Sequence, residues 1–287
     1  MKVDNAVIMA AGTSSRFAPL SFERHKALTE VRGEILIERE IRQLKEAGID
    51  KIYLVTGYKA EQFEYLVDKF GVKLIHNTDY LTRNNNGSIW MARKVIRNTY
   101  ICSADNYFTE NPFAAEVDGA YYSAVYSDGP TNEWCMTERE GFIDSVVVGG
   151  QNAWYMLGHV FWDEAFSSRF LSILSKEYDK PETVGKLWED IYIDHIAELP
   201  LRMRKYPEGM IYEFDTLDEL RLFDPSYFMD TRSAILKRLA RELQVTESEM
   251  KDIRSYKDHN AAAAGFTFSI GEKEYKYVYE SQRLEEI

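Results

Sequence analysis

The stretch AVIMAAGTSSRFAPLSFERHKAL, residues 6–28, constrains this chain more than any other. Its apolar opening, residues 6–11, is continuous rather than alternating and reads as a buried parallel strand. The run breaks at Gly12 and passes into Thr13, Ser14 and Ser15. A glycine and small side chains let backbone N–H groups approach a ligand closely, which is how loops cradle phosphates. Two cations, Arg16 and Lys26, then flank a segment that holds Pro19, so positive charge is aimed at the loop. A Walker loop would need Gly-x-x-x-x-Gly-Lys-Ser/Thr, which does not occur. A dinucleotide fingerprint would need three glycines where only Gly12 stands. A plain strand–turn–helix would require neither Arg16 nor Lys26 at these places.

The elements that follow alternate. Ile37, Ile41 and Leu44 recur at helical spacing, Glu38, Arg39, Arg42 and Lys45 are assigned to the outer face, and Gly48 ends the helix. Residues 51–56 read as a second strand and 72–76 as a third. Between them residues 59–70 read as a helix with Phe63, Leu66, Val67 and Phe70 on one face. This βαβαβ order implies right-handed crossovers and a parallel sheet covered by helices, with ligands beyond the carboxyl ends of the strands. The expected class is α/β: a Rossmann-like, mixed but mostly parallel sheet flanked by helices.

Residues 77–87 form a polar loop, 88–96 a short helix and 99–104 a strand that ends on Asp105. Residues 120–161 read as short strands separated by turns such as Asp128-Gly129-Pro130 and Gly149-Gly150. Helices at 163–177 and 184–198 precede a return strand at 211–214 that ends on Asp215. Pro225 marks a boundary, dividing a main domain, 1–224, from a C-terminal appendage, 225–287. The appendage holds a helix at 230–243, a capping-box start at Thr246 with Glu249, and a β-hairpin at 266–280 around Gly271. The low-complexity run is the alanines of 261–264.

Composition narrows the partners. A net charge of −12 and an isoelectric point near 5.0 oppose nucleic acid as a partner, so a bound polyanion requires locally focused cations. No window approaches the about 18 apolar residues of a membrane span, and the N-terminus runs into a strand rather than a signal peptide. No membrane partner is therefore expected. Cys102 and Cys135 lack metal spacing and read as reduced thiols, which suits a cytoplasmic location.

Ala10-Ala11-Gly12-Thr13-Ser14-Ser15-Arg16 with Pro19 and Lys26 resembles the signature of the nucleotidyltransferase family that activates phosphorylated small molecules with NTPs. That signature runs Ala-Ala-Gly-x-Gly-Ser/Thr-Arg, and Ser14 stands here for its second glycine. The resemblance implies a GT-A-like fold, a nucleotide lying on Ala10, Ala11, Gly12, Thr13 and Ser14, and catalytic roles for Arg16 and Lys26. Asp105 and Asp215 taken alone read as ordinary strand-end turn formers. The family's metal carboxylates stand in motifs like Ser103-Ala104-Asp105 and Asp215-Thr216-Leu217-Asp218, which implies a Mg²⁺ on this pair. Asn84-Asn85-Asn86-Gly87-Ser88 offers amide donors and acceptors to a base edge. Family likeness puts Asn84, Gly87 and Ser88 beside the nucleotide.

Smaller details resemble the bacterial CTP:phosphocholine cytidylyltransferase branch over about residues 3–222. These are His25 where sugar-handling relatives carry proline, Val55-Thr56-Gly57-Tyr58, Glu61-Gln62-Phe63, Asn132-Glu133-Trp134, Leu187-Trp188-Glu189 and Tyr212-Glu213-Phe214-Asp215. The branch implies transfer of CMP from CTP to phosphocholine. A quaternary ammonium donates no hydrogen bonds and wants aromatic faces and carboxylates, which Trp134, Trp188, Glu133, Glu189 and Glu213 supply. Tyr155 beside Trp154 is a further candidate.

Other readings are a sugar-1-phosphate nucleotidyltransferase, an aminoalkyl-phosphonate cytidylyltransferase, and a nucleotide-sensing scaffold on the same fold. His76, His159, His195 and His259 lack mutual metal spacing and receive no role. Residues 253–287 resemble the opening hairpin of choline-kinase-like small lobes, without a catalytic kinase segment after it. The tail is thus read as a docking appendage or a homodimer element, and the active site is expected to be complete without it.

Overall fold

The strand Asn5–Ala10 carries no charged side chain, so both its faces and both its edges can be covered. It pairs in parallel with Ile52–Thr56, Ala6 opposite Ile52, and with Thr99–Ser103, Asn5 opposite Thr99. Lys73–His76 adds a further parallel strand beyond Ile52–Thr56. On the other side Thr99–Ser103 runs antiparallel to Phe142–Trp162, which pairs antiparallel with Tyr121–Arg139. Arg202–Tyr206 closes that edge in parallel. The result is a seven-stranded, mostly parallel mixed sheet. The computed structural model describes residues 1–257 and 263–287. His259 and the first two alanines of the 261–264 run lie outside the described residues.

The expected short strands of 120–161 are instead two long ones, of 19 and 21 residues. Gly129 and Gly149 do take positive φ, but within the paired ribbon. Register shifts there, including one between Ser127 and Pro130, absorb what reads in sequence as turns. The turn itself is Glu140-Gly141, both at positive φ.

The helix Leu36–Glu46 buries Leu36, Ile37, Ile41 and Leu44 as its spacing predicts. Glu38, assigned to the outer face, is instead 5% exposed. It accepts from Tyr65 Oη at 2.9 Å and Lys69 Nζ at 2.8 Å, partners supplied by a later helix. That later helix is shorter than expected, Tyr65–Phe70 after a 3₁₀ turn at Ala60–Phe63, and Val67 is 41% exposed. The short helix expected at 88–96 is Asn86–Ala92, and the one expected at 184–198 is Trp188–Asp194. One face of the sheet is covered by an apolar cluster that includes Val7, Ile101, Trp162, Phe170 and Trp188.

Contacts divide the chain into two units, Met1–Gly12 with Leu36–Glu213, and Thr13–Ile35 with Phe214–Ile287. The boundary read at Pro225 falls inside the second unit. That unit holds the helices Leu217–Phe223 and Ala234–Leu243 and a four-stranded antiparallel sheet. The expected hairpin is there, Ala263–Ile270 with Lys273–Val278, turning at Gly271 with φ 59°. Lys251–Lys257 and Arg283–Glu286 extend it on either edge. Arg221, 2% exposed, donates to Met250 O at 2.8 Å and Glu247 O at 2.7 Å, tying the helix Leu217–Phe223 to the start of the sheet.

Gly57 tests how tightly the first unit closes behind its first strand. Tyr58 N donates to Ala11 O at 3.0 Å, and a Cβ on Gly57 would lie 2.7 Å from Tyr80 Cγ and 2.9 Å from Ala11 O. Gly57→Ala should therefore lower stability by about 1–3 kcal/mol, the usual cost of overpacking. A urea midpoint equal to that of the parent would show that Tyr80 moves aside freely.

Candidate active site

The signature loop leaves its strand at Ala10 and Ala11, both buried, while Gly12 is exposed. Gly12 lacks positive φ, and a Cβ built on it would meet nothing within 4 Å. Neither backbone geometry nor packing demands a glycine there. Ser14 is the opposite case. Its φ of 47° and ψ of 42° are left-handed, the region where a Cβ is penalised. The position at which the family signature carries a glycine is thus one that favours glycine.

The next turn, Ser15–Phe17, is held by Phe17 N donating to Ser14 O at 3.0 Å. Lys26 opens a 3₁₀ turn, Lys26–Leu28, capped by His25, whose Nδ1 accepts from Ala27 N at 3.1 Å. His25 thus has a structural task at the start of this turn. The Lys26 side chain is only 4% exposed and lies 3.5 Å from Asp215 Oδ1. Arg16, 73% exposed, pairs with Asp215 Oδ2 at 2.7 Å. Asp215 itself is anchored through its backbone N–H, which donates to Glu219 Oε2 at 2.6 Å. The signature cations and the late aspartate, some 190–200 residues apart in sequence, meet within the second unit.

In the first unit Asp105 follows Thr99–Ser103, as expected, and is half-buried. Behind it lies Glu40, 1% exposed, whose carboxyl is pushed well above the usual carboxylate range by burial. A hydrogen bond from Cys102 opposes that shift, and the charge of Asp105 adds to it.

The asparagine run turns out to be a framework. Asn84 Nδ2 donates to Gly185 O at 3.1 Å, and Asn86 Nδ2 to Thr183 O at 2.9 Å and to Lys186 O. Asn85 Oδ1 accepts from Trp188 N at 2.7 Å while its Nδ2 donates to Glu189 Oε2 at 3.0 Å. Gly87 and Ser88 are buried in the helix Asn86–Ala92, and Ser88 Oγ accepts from Asn77 Nδ2 at 3.2 Å. Of the three residues named for the nucleotide, only Asn84 is exposed.

The acceptor candidates separate likewise. Trp188 is 1% exposed and packs among Trp162, Phe170 and Tyr122, so it is core and offers no free face. An isolated Trp-Glu pair on a helix cannot be told from a core tryptophan until the partners that bury it are known. Trp134 is half-buried against the apolar cluster, while its neighbour Glu133 is exposed. The carboxylates do gather. The Tyr155 hydroxyl is raised by burial and by the charges of Glu133, Glu208 and Glu213. That of Tyr122 is pushed well up by burial and by Glu189 and Glu213. Burial pushes the Glu189 carboxyl up to about 7, against hydrogen bonds from Asn85 and Tyr122. Tyr122 and Glu208 went unnoticed in the sequence, and Asn85 was named there for the base edge rather than for Glu189. Glu208 lies in a Pro-Glu-Gly turn and Tyr122 in an aromatic run, so neither carries a local signal.

The mostly parallel sheet, with the signature loop after its first strand, is the architecture expected of a nucleotidyltransferase. The description of the MobA-like NTP transferase domain matches residues 6–122. The chain is 33% identical to the choline-phosphate cytidylyltransferase of Streptococcus pneumoniae, over 75% of this chain and 95% of that protein. It is 34% identical to the 2-aminoethylphosphonate cytidylyltransferase of Lancefieldella rimae, over 80% of this chain and 95% of that one. The solved structure of the CTP:phosphocholine cytidylyltransferase from Streptococcus pneumoniae matches with a TM-score of 0.75 at 32% identity, over 79% of this chain and 99% of that one. The chain belongs to the nucleotidyltransferase family, among its bacterial cytidylyltransferases. Enzymes of this family typically use a divalent metal. Among the described residues, no helix is long and apolar enough to cross a membrane.

The contrast between Gly12 and Ser14 can be measured. Gly12→Ala should keep stability within about 0.5 kcal/mol yet weaken CTP binding, since only a ligand would contest the added methyl. Ser14→Gly should hold stability or raise it by up to about 1 kcal/mol, as left-handed strain is relieved. A Gly12→Ala enzyme with unchanged KM for CTP would remove Gly12 from the nucleotide site.

Proposed function

We propose that this enzyme transfers CMP from CTP to phosphocholine and releases pyrophosphate. An oxygen of the acceptor phosphate attacks the α-phosphorus of CTP. The new P–O bond forms as the bond to the β-phosphate oxygen breaks, and the electron pair leaves on pyrophosphate. No enzyme nucleophile is needed, so catalysis is positioning and charge neutralisation. Lys26 and Arg16, held by Asp215, are the cations that meet the triphosphate and offset charge on the leaving group. Because Lys26 is shielded from water, its charge is worth more there than on an open surface.

Asp105 and Asp215 are hard oxygen donors, the kind that Mg²⁺ takes one or two at a time, filling its shell with water and substrate phosphates. That donor chemistry fits Mg²⁺. When bound, the ion would supply Lewis-acid neutralisation of phosphate oxygens. Asp215 also faces the two cations Arg16 and Lys26.

The observation that carries a cationic acceptor is Glu189, which accepts from Tyr122 Oη at 3.4 Å, together with the negative charge that Glu213 brings to Tyr122 and that Glu133, Glu208 and Glu213 bring to Tyr155. Aromatic faces and carboxylates suit a trimethylammonium group, and of the two tryptophans named for it Trp134 is the half-buried one. A second reading, 2-aminoethylphosphonate as the acceptor, draws on the same carboxylates and on the relative at 34% identity. Pyrophosphate release measured with four NTPs against phosphocholine, 2-aminoethylphosphonate and a hexose 1-phosphate separates them. CTP with phosphocholine should give the highest kcat/KM. Faster turnover of the hexose phosphate would overturn the cationic acceptor and leave the enzyme class standing.

Asp105→Ala should cut pyrophosphate release by about 10²-fold or more while unfolding stays cooperative. Near-normal release with Mg²⁺ would exclude it as a ligand. Asp215→Ala should cost the same activity and also lower Tm, because it leaves Lys26 shielded and without that carboxylate.

Glu189 gives a pH signature. Its carboxyl, at about 7 in the fold against 4.5 for the free group, is mostly neutral below pH 7 and charged above. A charge that balances a cationic acceptor is therefore gained as pH rises. For phosphocholine, kcat/KM should climb through one ionisation near 7, and Glu189→Gln should abolish that limb. The stability effect has the opposite sign. The folded state binds the extra proton, so stability falls as pH rises from 4.5 through about 7. Glu189→Gln should then be the more stable protein at pH 8. An unchanged pH–rate profile in the variant would take Glu189 out of the acceptor site.

A further inference from the structure

The C-terminal segment grips the signature loop at named atoms. The helix Ala234–Leu243 begins with N–H groups that have no partner inside the helix. Ser233 Oγ accepts from Leu236 N at 3.0 Å. The other two are taken by the signature loop itself: Glu23 accepts from Ala234 N at 3.1 Å and from Ile235 N at 2.6 Å. A carboxylate is favoured at that end of a helix by the aligned peptide dipoles. Next to it, the Phe22 ring stacks on Tyr279, in the turn after the strand Lys273–Val278, centroids 3.8 Å apart and planes within 6°. The other end of the loop is pinned as well. Tyr227 Oη donates to Glu30 O at 2.6 Å, and Arg32 N donates to Asp224 Oδ2 at 2.8 Å. Lys26 lies between these two anchorages, three residues after Glu23.

We propose that Glu23 is a positioning residue for the transfer reaction: through the N-terminus of the helix Ala234–Leu243 it fixes the turn that carries Lys26, with the Phe22–Tyr279 stack as its second hold. The C-terminal segment is then part of the catalytic apparatus, and the sequence-based expectation that the site is complete without it is replaced. Two features argue for this over simple packing. The contacts fall on the loop that bears the signature cations, and a carboxylate with two backbone donors fixes direction as well as distance. Lys26 itself is 4% exposed, so its ammonium can follow only small movements of its own backbone. The proposal rests on the reading of Lys26 as the cation that meets the triphosphate.

The test uses the full chain with Glu23→Ala, Glu23→Gln, Tyr279→Ala, Lys26→Ala and the Glu23→Ala, Lys26→Ala double variant. A misplaced catalytic group costs up to about 10²-fold, so Glu23→Ala should lower kcat by roughly 10- to 100-fold with KM for both substrates within about twofold. Glu23→Gln keeps an acceptor oxygen and should recover most of the loss. In the Lys26→Ala background, Glu23→Ala should cause no further loss, because it acts through that lysine. Hydrogen exchange of amides in residues 15–28 should quicken in Glu23→Ala and Tyr279→Ala, with exchange in the strand Asn5–Ala10 unchanged. Wild-type kcat in both single variants, or additive losses in the double variant, would overturn the proposal. So would unaltered exchange across residues 15–28. Full activity in Lys26→Ala would instead refute the reading of Lys26, and the exchange result would still decide whether Glu23 and Tyr279 hold the loop.

Discussion

An ammonium with 4% exposure survives in a fold only where an opposite charge or several acceptors meet it. Asp215 meets that condition for Lys26, and it depends in turn on its own supports. Its backbone N–H is tied to Glu219, the third residue of a capping box that starts the helix Leu217–Phe223 on Thr216. That helix carries Arg221, whose guanidinium is buried on the carbonyls of Glu247 and Met250. An ion pair, a capping hydrogen bond and the buried Arg221 thus link the signature lysine to the start of the C-terminal sheet. Most members of this link are charged or are backbone groups with fixed direction. Such a link sets geometry better than apolar contact does, because hydrogen bonds to charged groups lose energy steeply with misalignment.

The same link shows which parts of the protein were legible in the sequence. The first strand, its loop and the two cations could be read because their chemistry is local, with residue types at fixed spacing. The parallel half of the sheet followed from an apolar run alternating with helical periodicity. The long antiparallel ribbon was misread because glycines and a proline inside a bulged pair look the same, one residue at a time, as turns. Glu38, Trp188 and the asparagines failed for a shared reason. Each is decided by a partner from another element: Tyr65 and Lys69 for Glu38, Trp162 and Phe170 for Trp188, and the backbone of 183–186 for Asn84 and Asn86. Glu23 belongs to this group as well. In sequence it is an unremarkable acid between Phe22 and Arg24, and its partner lies more than 200 residues on.

Ser14 bears on how far a motif can drift. The loop holds a left-handed serine where the signature has glycine, the residue best suited to that conformation. A left-handed serine costs about 1–2 kcal/mol, a loss that other contacts of a protein this size can absorb. The Arg16–Asp215–Lys26 arrangement is of another kind, because each cation in it shares one carboxylate with the other.

The protein's overall charge of −12 sets the last constraint. A triphosphate and a cationic acceptor ask for opposite potentials, and an acidic body repels the first while attracting the second. Beyond a Debye length of about 8 Å at physiological salt the body's charge is largely screened, so each substrate is governed by the groups nearest to it. The cations proposed for the triphosphate, Arg16 and Lys26, belong to the second unit. The carboxylates around Tyr122 and Tyr155 belong to the first. On the proposed reading, the groups for the two substrates are thus supplied by different parts of the chain. In this arrangement the acceptor cluster can be altered by substitution without touching the nucleotide cations, and a family can change its acceptor while its donor chemistry stays fixed. Two relatives at 33% and 34% identity, named for two different cationic acceptors and both cytidylyltransferases, are what such a separation would allow.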